Sequence, residues 1–324
     1  MKRLDDPFFD VTAPIASGYL ERESGHRVYW EESGAADGAP IVLVHGGPGG
    51  ANQPGMRRFV DPAKFRIIQF DQRGCGKSEP AGELSANTLQ ATIADMEALR
   101  IARRIDRWIV SGGSWGSAVA LAYGEAHPER CLGLLLVSMW LCRPRDTQWW
   151  FHGVRTVFPE LWDEFARHVP ECERTDLRSA YCTRILQGDA ETAAAFARRL
   201  YLYEEGFMRF AAPLAPADPA RGEAYGRIFA HYAANDFFLR DDQLLAQAEK
   251  VAHLPAIIIT GRYDMCTPPD NAYDLAKLLP KAELRIIAGA GHYPTEERMS
   301  LACVAGVSDI LARIQPPAER KNVA

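Results

Sequence analysis

Gly112-Gly113-Ser114-Trp115-Gly116 decides the fold of this chain. A short apolar segment, Trp108-Ile-Val110, runs into it, and an alanine-rich stretch with helical spacing, 117–127, runs out of it. A strand-to-helix turn of this kind is too sharp for side chains at its flanks, and Gly112 and Gly116 supply the G-x-S-x-G spacing it requires. The turn lifts the serine hydroxyl clear of the sheet. It also aims the first N–H groups of the helix at the place where negative charge develops during attack on a carbonyl. These residues predict that Ser114 is a nucleophile.

The flanking segments repeat the pattern. Ile41-Val-Leu-Val44 ends in His45-Gly-Gly-Pro-Gly-Gly50, and Phe65-Arg-Ile-Ile-Gln-Phe70 ends in Asp71-Gln-Arg-Gly-Cys-Gly-Lys-Ser78. Short β-branched runs closed by glycine clusters read as buried strands carrying loops at their carboxyl ends. Leu89, Ile93, Met96 and Leu99 lie on one face of a helix predicted over 88–104, which Asn87 or Thr88 can cap. Residues 132–137 are the strand after the elbow helix. Apolar strands resume at 256–260 and 283–287, and a last helix spans 297–313. Strands alternating with helices imply a doubly wound, mostly parallel α/β sheet.

That alternation breaks between Trp140 and Ala252. Trp149, Trp150, Phe151, Phe158, Trp162 and Phe165 recur at helical spacing, and no buried-strand pattern appears. We read residues 139–252 as an inserted helical cap, with 1–138 and 253–324 forming the core. An Ala-Pro-rich stretch, 211–220, reads as a loop in the cap, and the polar tail from Pro316 reads as frayed.

Composition narrows the function. The 324 residues are 47% hydrophobic and 24% charged, with a net charge of −5, so a large core is expected and a nucleic-acid footprint is not. The charged opening, 1–7, does not resemble a signal peptide, and no run of ~18 apolar residues suggests a membrane span. Seven scattered cysteines without a C-x-x-C pair read as free, mostly buried thiols of a cytoplasmic protein. Cys75, in a glycine turn, is the one candidate for a reactive thiol. Neither metal-ligand spacing nor a nucleotide-binding glycine motif is present, so no metal and no cofactor is expected. A homo-oligomer is compatible with the sequence.

A serine hydroxyl needs a base to take its proton, and that base is normally a histidine oriented by a carboxylate. On an α/β-hydrolase fold these follow in the order Ser, acid, His, on loops after successive strands. Strand 256–260 ends in Gly261-Arg-Tyr-Asp264, and strand 283–287 leads to Ala288-Gly-Ala-Gly-His292. Asp264 and His292 are the expected acid and base. His45, in the glycine loop, and His127, at the end of the elbow helix, lack that context. The oxyanion donors are expected to be the N–H groups of Trp115 and Gly47. An aspartate nucleophile, as epoxide or haloalkane hydrolysis requires, is excluded by Ser114. A non-catalytic binding protein on this fold would be expected to have lost one of the three residues.

His45-Gly-Gly-Pro-Gly49, Asp71-Gln-Arg-Gly-Cys-Gly-Lys-Ser78, Gly112-Gly-Ser-Trp-Gly-Ser117, Gly261-Arg-Tyr-Asp264 and Gly291-His292 together resemble the proline iminopeptidase family of α/β-hydrolases. Val28-Tyr-Trp-Glu-Glu-Ser-Gly34 and Ala126-His-Pro-Glu-Arg130 are also similar to it. The resemblance covers most of residues 17–313, closely in the core and loosely in the cap. It implies release of an N-terminal proline through a serine acyl-enzyme, with the substrate amine held by cap carboxylates. One lies in a Trp-Glu motif that Tyr203-Glu204 resembles, and Glu205, which follows directly, can substitute for it as a substrate-binding carboxylate. A second lies in an Ile-Glu-Asn-His-Tyr-like motif. This chain has Ile228-Phe-Ala-His-Tyr232, so Phe229 stands at the place of the second glutamate. Burying an unpaired ammonium is costly, so Glu204 favours a free-amine substrate and Phe229 an uncharged one. Two readings follow: an aminopeptidase for N-terminal proline or another small residue, and an esterase or amidase for small apolar acyl compounds. The partner in either case is a small peptide, amide or ester.

Overall fold

Alternation at a period of two builds the centre of the molecule. Ile41, Ile67, Ile109, Leu135 and Ile257 join one apolar layer, which Val307 and Ile310 complete. Their chain neighbours Val42, Ile68, Val110, Leu134 and Ile258 join the other, against Met96, Val119 and Tyr123. A sheet buried on both faces needs apolar side chains at consecutive positions, and for that reason these strands read as unbroken hydrophobic runs.

The computed structural model describes residues 8–11, 13–208 and 219–314. The N-terminal segment 1–7, the 211–218 part of the Ala-Pro-rich stretch and the tail from Pro316 lie outside them. Eight strands form one sheet in the order β1-β2-β4-β3-β5-β6-β7-β8. They are β1 (Ala16–Glu21), β2 (Arg27–Gly34), β3 (Ala39–Val44), β4 (Phe65–Phe70), β5 (Trp108–Gly113), β6 (Cys131–Val137), β7 (Ala256–Gly261) and β8 (Ala282–Ile287). From β4 through β8 all neighbours pair in parallel, with Val42 opposite both Ile68 and Val110. β1 and β2 pair antiparallel at the edge, and β2 joins β4 antiparallel. The sequence reading missed this hairpin. Exposure alternates strictly along Ala16–Glu21, and its polar residues hide it from a search for apolar runs.

Helices α1 (Leu89–Ala102) and α2 (Trp115–Ala126) cover one face. Thr88 caps α1 by accepting the Ala91 N–H at 3.1 Å. Asn87, the other expected cap, is used elsewhere, as described below. Between β6 and β7 the described chain is helical: α3 (Pro144–Phe151), α4 (Pro159–Arg167), α5 (Leu177–Gln187), α6 (Ala190–Met208), α7 (Pro219–Ala234) and the short α8 (Gln243–Ala246). Pro219 and Ala220, expected in a loop, begin α7. Then come α9 (Asp270–Leu278) after β7 and α10 (Glu297–Ile314), which covers the second face.

The helical insertion shares its core with the sheet. Trp115 packs on Tyr232 at 5.1 Å and on Trp140 at 6.5 Å, and Trp140 packs on Phe237 at 4.7 Å. Asn87 ties the two parts polarly. Its Oδ1 accepts from the Tyr232 hydroxyl at 2.9 Å, and its carbonyl lies 2.8 Å from His231 Nε2. All seven cysteines are free, and only Cys172 is exposed. Burial pushes the Cys75 thiol far above its ordinary pKa, with Asp71 adding to the effect, so this cysteine is a packing residue and not a reactive one.

Candidate active site

The loops that follow β3, β5, β6, β7 and β8 converge at the carboxyl edge of the sheet. Ser114 stands on the second of them, between β5 and α2, with φ 57° and ψ −129°. A non-glycine residue is held there only where its surroundings enforce it. Two glycines do so. A Cβ on Gly112 would come within 2.0 Å of the Gly116 carbonyl oxygen, and one on Gly116 within 2.3 Å of the Val44 carbonyl oxygen. Gly113 is different, since a Cβ there would meet nothing closer than 3.8 Å.

The glycine loop after β3 passes directly over Ser114. A Cβ on Gly46 would stand 3.2 Å from Ser114 Cβ. Gly47 has φ 130°, a conformation that favours glycine. His45 explains how this loop is held. Its Nε2 accepts the Gln72 backbone N–H at 2.9 Å, which leaves Nδ1 to donate to the Gly46 carbonyl at 2.8 Å. The Gln72 side chain donates to the His45 carbonyl at 2.9 Å and accepts from Trp115 Nε1 at 2.9 Å. The H-G-G, D-Q-R-G and G-S-W-G segments are therefore one hydrogen-bonded unit, with His45 as its scaffold. Trp115 opens α2, so its own N–H has no acceptor within the helix.

Asp264 and His292 meet in a buried pair. His292 Nδ1 lies 2.9 Å from each Asp264 carboxylate oxygen. Asp264 is fixed by the N–H groups of Cys266 and Thr267, at 3.0 and 2.8 Å, and by the Thr267 hydroxyl at 2.9 Å. Burial opposes a charge on His292, but the neighbouring Asp264 carboxylate, helped by Glu204, more than offsets it. The imidazole is held above its ordinary pKa.

Ser138, which the sequence reading passed over, joins these loops. It directly follows β6 and has φ 49°. The Ser114 N–H donates to the carbonyl of the preceding residue, Val137, at 3.0 Å. Ser138 donates its hydroxyl to the His292 carbonyl at 3.1 Å, and its own carbonyl oxygen lies 3.0 Å from the Thr267 hydroxyl, whose one proton it shares with Asp264. Val137 and Ser138 thus connect the loops that carry Ser114, Asp264 and His292. Their position at a strand's carboxyl end was the available signal.

The insertion contributes Glu204, on α6, 4% exposed. Its carboxylate accepts from the Tyr225 hydroxyl, from Trp150 Nε1 at 3.4 Å and from the Cys266 thiol at 3.8 Å. Burial pushes its carboxyl up to about 7, against the lowering effect of Tyr225 and of His292. Phe229 packs among the same partners, stacked on Trp150 at 4.9 Å and lying 6.1 Å from Tyr225. Glu205 takes another direction. Successive helical side chains diverge by about 100°, and Glu205 accepts from the Tyr293 hydroxyl at 2.7 Å.

Among the described residues no cluster of His, Cys, Asp and Glu could hold a metal ion. No described helix is long and apolar enough to cross a membrane.

Residues 39–298 match the family model described as alpha/beta hydrolase fold. The chain is 40% identical over 311 residues to a probable proline iminopeptidase of Leptolyngbya boryana, covering 94% of this chain and 97% of that protein. It is 39% identical over 309 residues to the proline iminopeptidase of Neisseria gonorrhoeae, covering 94% and 99%. Its fold is similar to the crystal structure of proline iminopeptidase from Mycobacterium smegmatis, at a TM-score of 0.60 with 17% identity, over 92% of this chain and 99% of that one. On the identity and coverage of these relatives and the match of the family model, the chain belongs to the proline iminopeptidase family of α/β-hydrolases.

Proposed function

We propose that this enzyme is a serine aminopeptidase that releases an N-terminal proline, or another small residue, from peptides. Ser114 Oγ attacks the scissile carbonyl carbon while His292 Nε2 takes the hydroxyl proton. Asp264 orients the imidazole through Nδ1 and stabilises its charge. The N–H groups of Trp115 and Gly47 donate to the oxyanion. His292 returns the proton to the leaving amine, and water then enters to hydrolyse the acyl-enzyme by the same steps. Residues 139–252 act as the cap that selects the substrate.

Glu204 is the observation that carries this reading over a general esterase. A carboxylate buried among Trp150, Tyr225 and Phe229 is costly unless it meets a cation. A substrate ammonium supplies that cation. The name borne by relatives at 39–40% identity agrees. The second reading, an esterase or amidase for apolar acyl groups, is favoured by Phe229, which makes one wall of the Glu204 site aromatic. A panel of prolyl, alanyl and N-blocked anilides with short-chain nitrophenyl esters tests both. Cleavage confined to free-amine substrates supports the first. Equal rates on blocked or neutral compounds would replace it with the second.

A further inference from the structure

The loop carrying His292 has little regular structure of its own. It runs from the end of β8, at Ile287, to the start of α10, at Glu297. Core groups hold it from the sheet side: the Tyr263 N–H donates to the Ala290 carbonyl at 2.9 Å, and the His292 carbonyl accepts from Ser138, while within the loop the Gly291 N–H donates to Glu296 at 2.7 Å. A further hold comes from the helical insertion. Tyr293 is the next residue after His292, and its hydroxyl reaches Glu205 on α6 at 2.7 Å.

Glu204 and Glu205 therefore divide two tasks between neighbouring positions. Glu204 turns toward Tyr225, Trp150 and the Cys266 thiol, beside the acid loop. Glu205 turns toward the base loop. We propose that Glu205 is a positioning residue for His292, acting through Tyr293, so that the seating of α6 on the core sets the alignment of the base. It is not a ligand of the substrate amine. This inference rests on the proposed role of His292 as general base. A catalytic group displaced by an ångström loses rate far more than it loses binding, by ~10²-fold in favourable cases. The signature is a fall in kcat for every substrate, whatever its charge.

The test compares Glu205→Gln, Glu205→Ala, Tyr293→Phe and the Glu205→Ala/Tyr293→Phe double variant. Each is assayed on a prolyl anilide and on a neutral nitrophenyl ester, with Tm measured alongside. Tyr293→Phe removes one hydroxyl and keeps the ring, so it guards against a misfolded Glu205→Ala. We expect Glu205→Ala and Tyr293→Phe each to lower kcat by about 10- to 100-fold on both substrates, with KM within about threefold. Glu205→Gln, which keeps an acceptor, should restore most of the rate. The double variant should be no worse than the worse single, because both remove one contact. A rise in KM confined to the free-amine substrate would overturn the inference and make Glu205 an amine ligand. So would multiplied losses in the double variant, or a lowered Tm with unchanged kcat. If His292→Ala itself stays active, the proposed mechanism fails. If His292→Ala is inactive while this series is flat, only the present inference fails.

Discussion

Both carboxylate oxygens of Asp264 lie 2.9 Å from His292 Nδ1, and both residues are buried. This geometry fixes the tautomer, with the proton on Nδ1 and Nε2 free to accept. Asp264→Asn presents an amide in place of one oxygen and favours the wrong tautomer. We expect kcat to fall by ~10⁴-fold with little change in Tm. The pH profile gives a second measure. A general base works only when neutral, and the pKa of His292, the proposed base, is raised above the usual 6.5. Activity should therefore fall on acidification with a midpoint above 6.5, and a profile flat down to pH 5 would exclude His292 as the base.

Ser114→Ala should lose at least ~10⁴-fold in rate while remaining folded. The backbone supplies a companion prediction. Ser114 and its alanine variant both pay the strain of a positive φ, whereas glycine does not. Ser114→Gly should be equally inactive and more stable than Ser114→Ala by thermal melting.

The elbow glycines are not equivalent. Gly112→Ala forces a Cβ into the Gly116 carbonyl and should yield little folded protein. Gly113→Ala places its new methyl at ordinary van der Waals distance from Val137 and should keep its Tm within a few degrees, a change of about 1 kcal/mol or less. Comparable damage from both would refute the steric account of the motif.

Glu204→Gln should raise KM for free-amine substrates by roughly 30-fold, the equivalent of about 2 kcal/mol, and leave neutral esters unchanged. The wild-type pH dependence has a definite sign. Burial raises the Glu204 pKa to about 7, so acidification neutralises the carboxyl and removes the ammonium's partner. KM for free-amine substrates should rise below pH 7, and KM for esters should not.

Glu125, on α2, is 4% exposed, and burial pushes its carboxyl up to about 8. Its Oε1 has no hydrogen-bond partner among the described residues. The folded state binds this proton more tightly than the unfolded chain, whose ordinary value is 4.5. Folding stability from this group is present below about 4.5 and is lost as pH rises through about 8, by on the order of a few kcal/mol. Glu125→Gln should raise Tm at pH 9 and change it little at pH 5. Equal Tm values for both proteins at pH 9 would show that the carboxylate is solvated.

The central strands were legible because parallel strands must be apolar on both faces, and 65–70 was read to the residue as β4. The edge hairpin was not, because β1 has small and polar residues between its few apolar ones, β2 carries Glu31 and Glu32, and both strands bury only part of their surface. At the candidate site, Ser114, Asp264 and His292 could be read because each lies where a strand gives way to a loop. Ser138 occupies the same kind of place but carries no glycine signature beside it. The Glu205–Tyr293 contact spans 88 residues of chain and has no local signal at all. Which way Glu205 points depends on how α6 is rotated against the core, and that is decided by the packing of Trp150, Tyr203 and Phe207.

The helical insertion leaves the sheet after β6 and rejoins it at β7, an arrangement that invites treating it as a cassette to be exchanged between relatives. Gly49 argues against free exchange. A Cβ at Gly49 would come within 2.6 Å of the Tyr225 carbonyl oxygen, so the loop that bears Gly47 touches the backbone of α7 with no side chain between them. A chimera whose donor helix ran slightly closer to the sheet would press on the glycine loop and shift a proposed oxyanion donor. Transplanting specificity into this scaffold therefore requires moving 45–50 together with the helices, as a matched pair of seams.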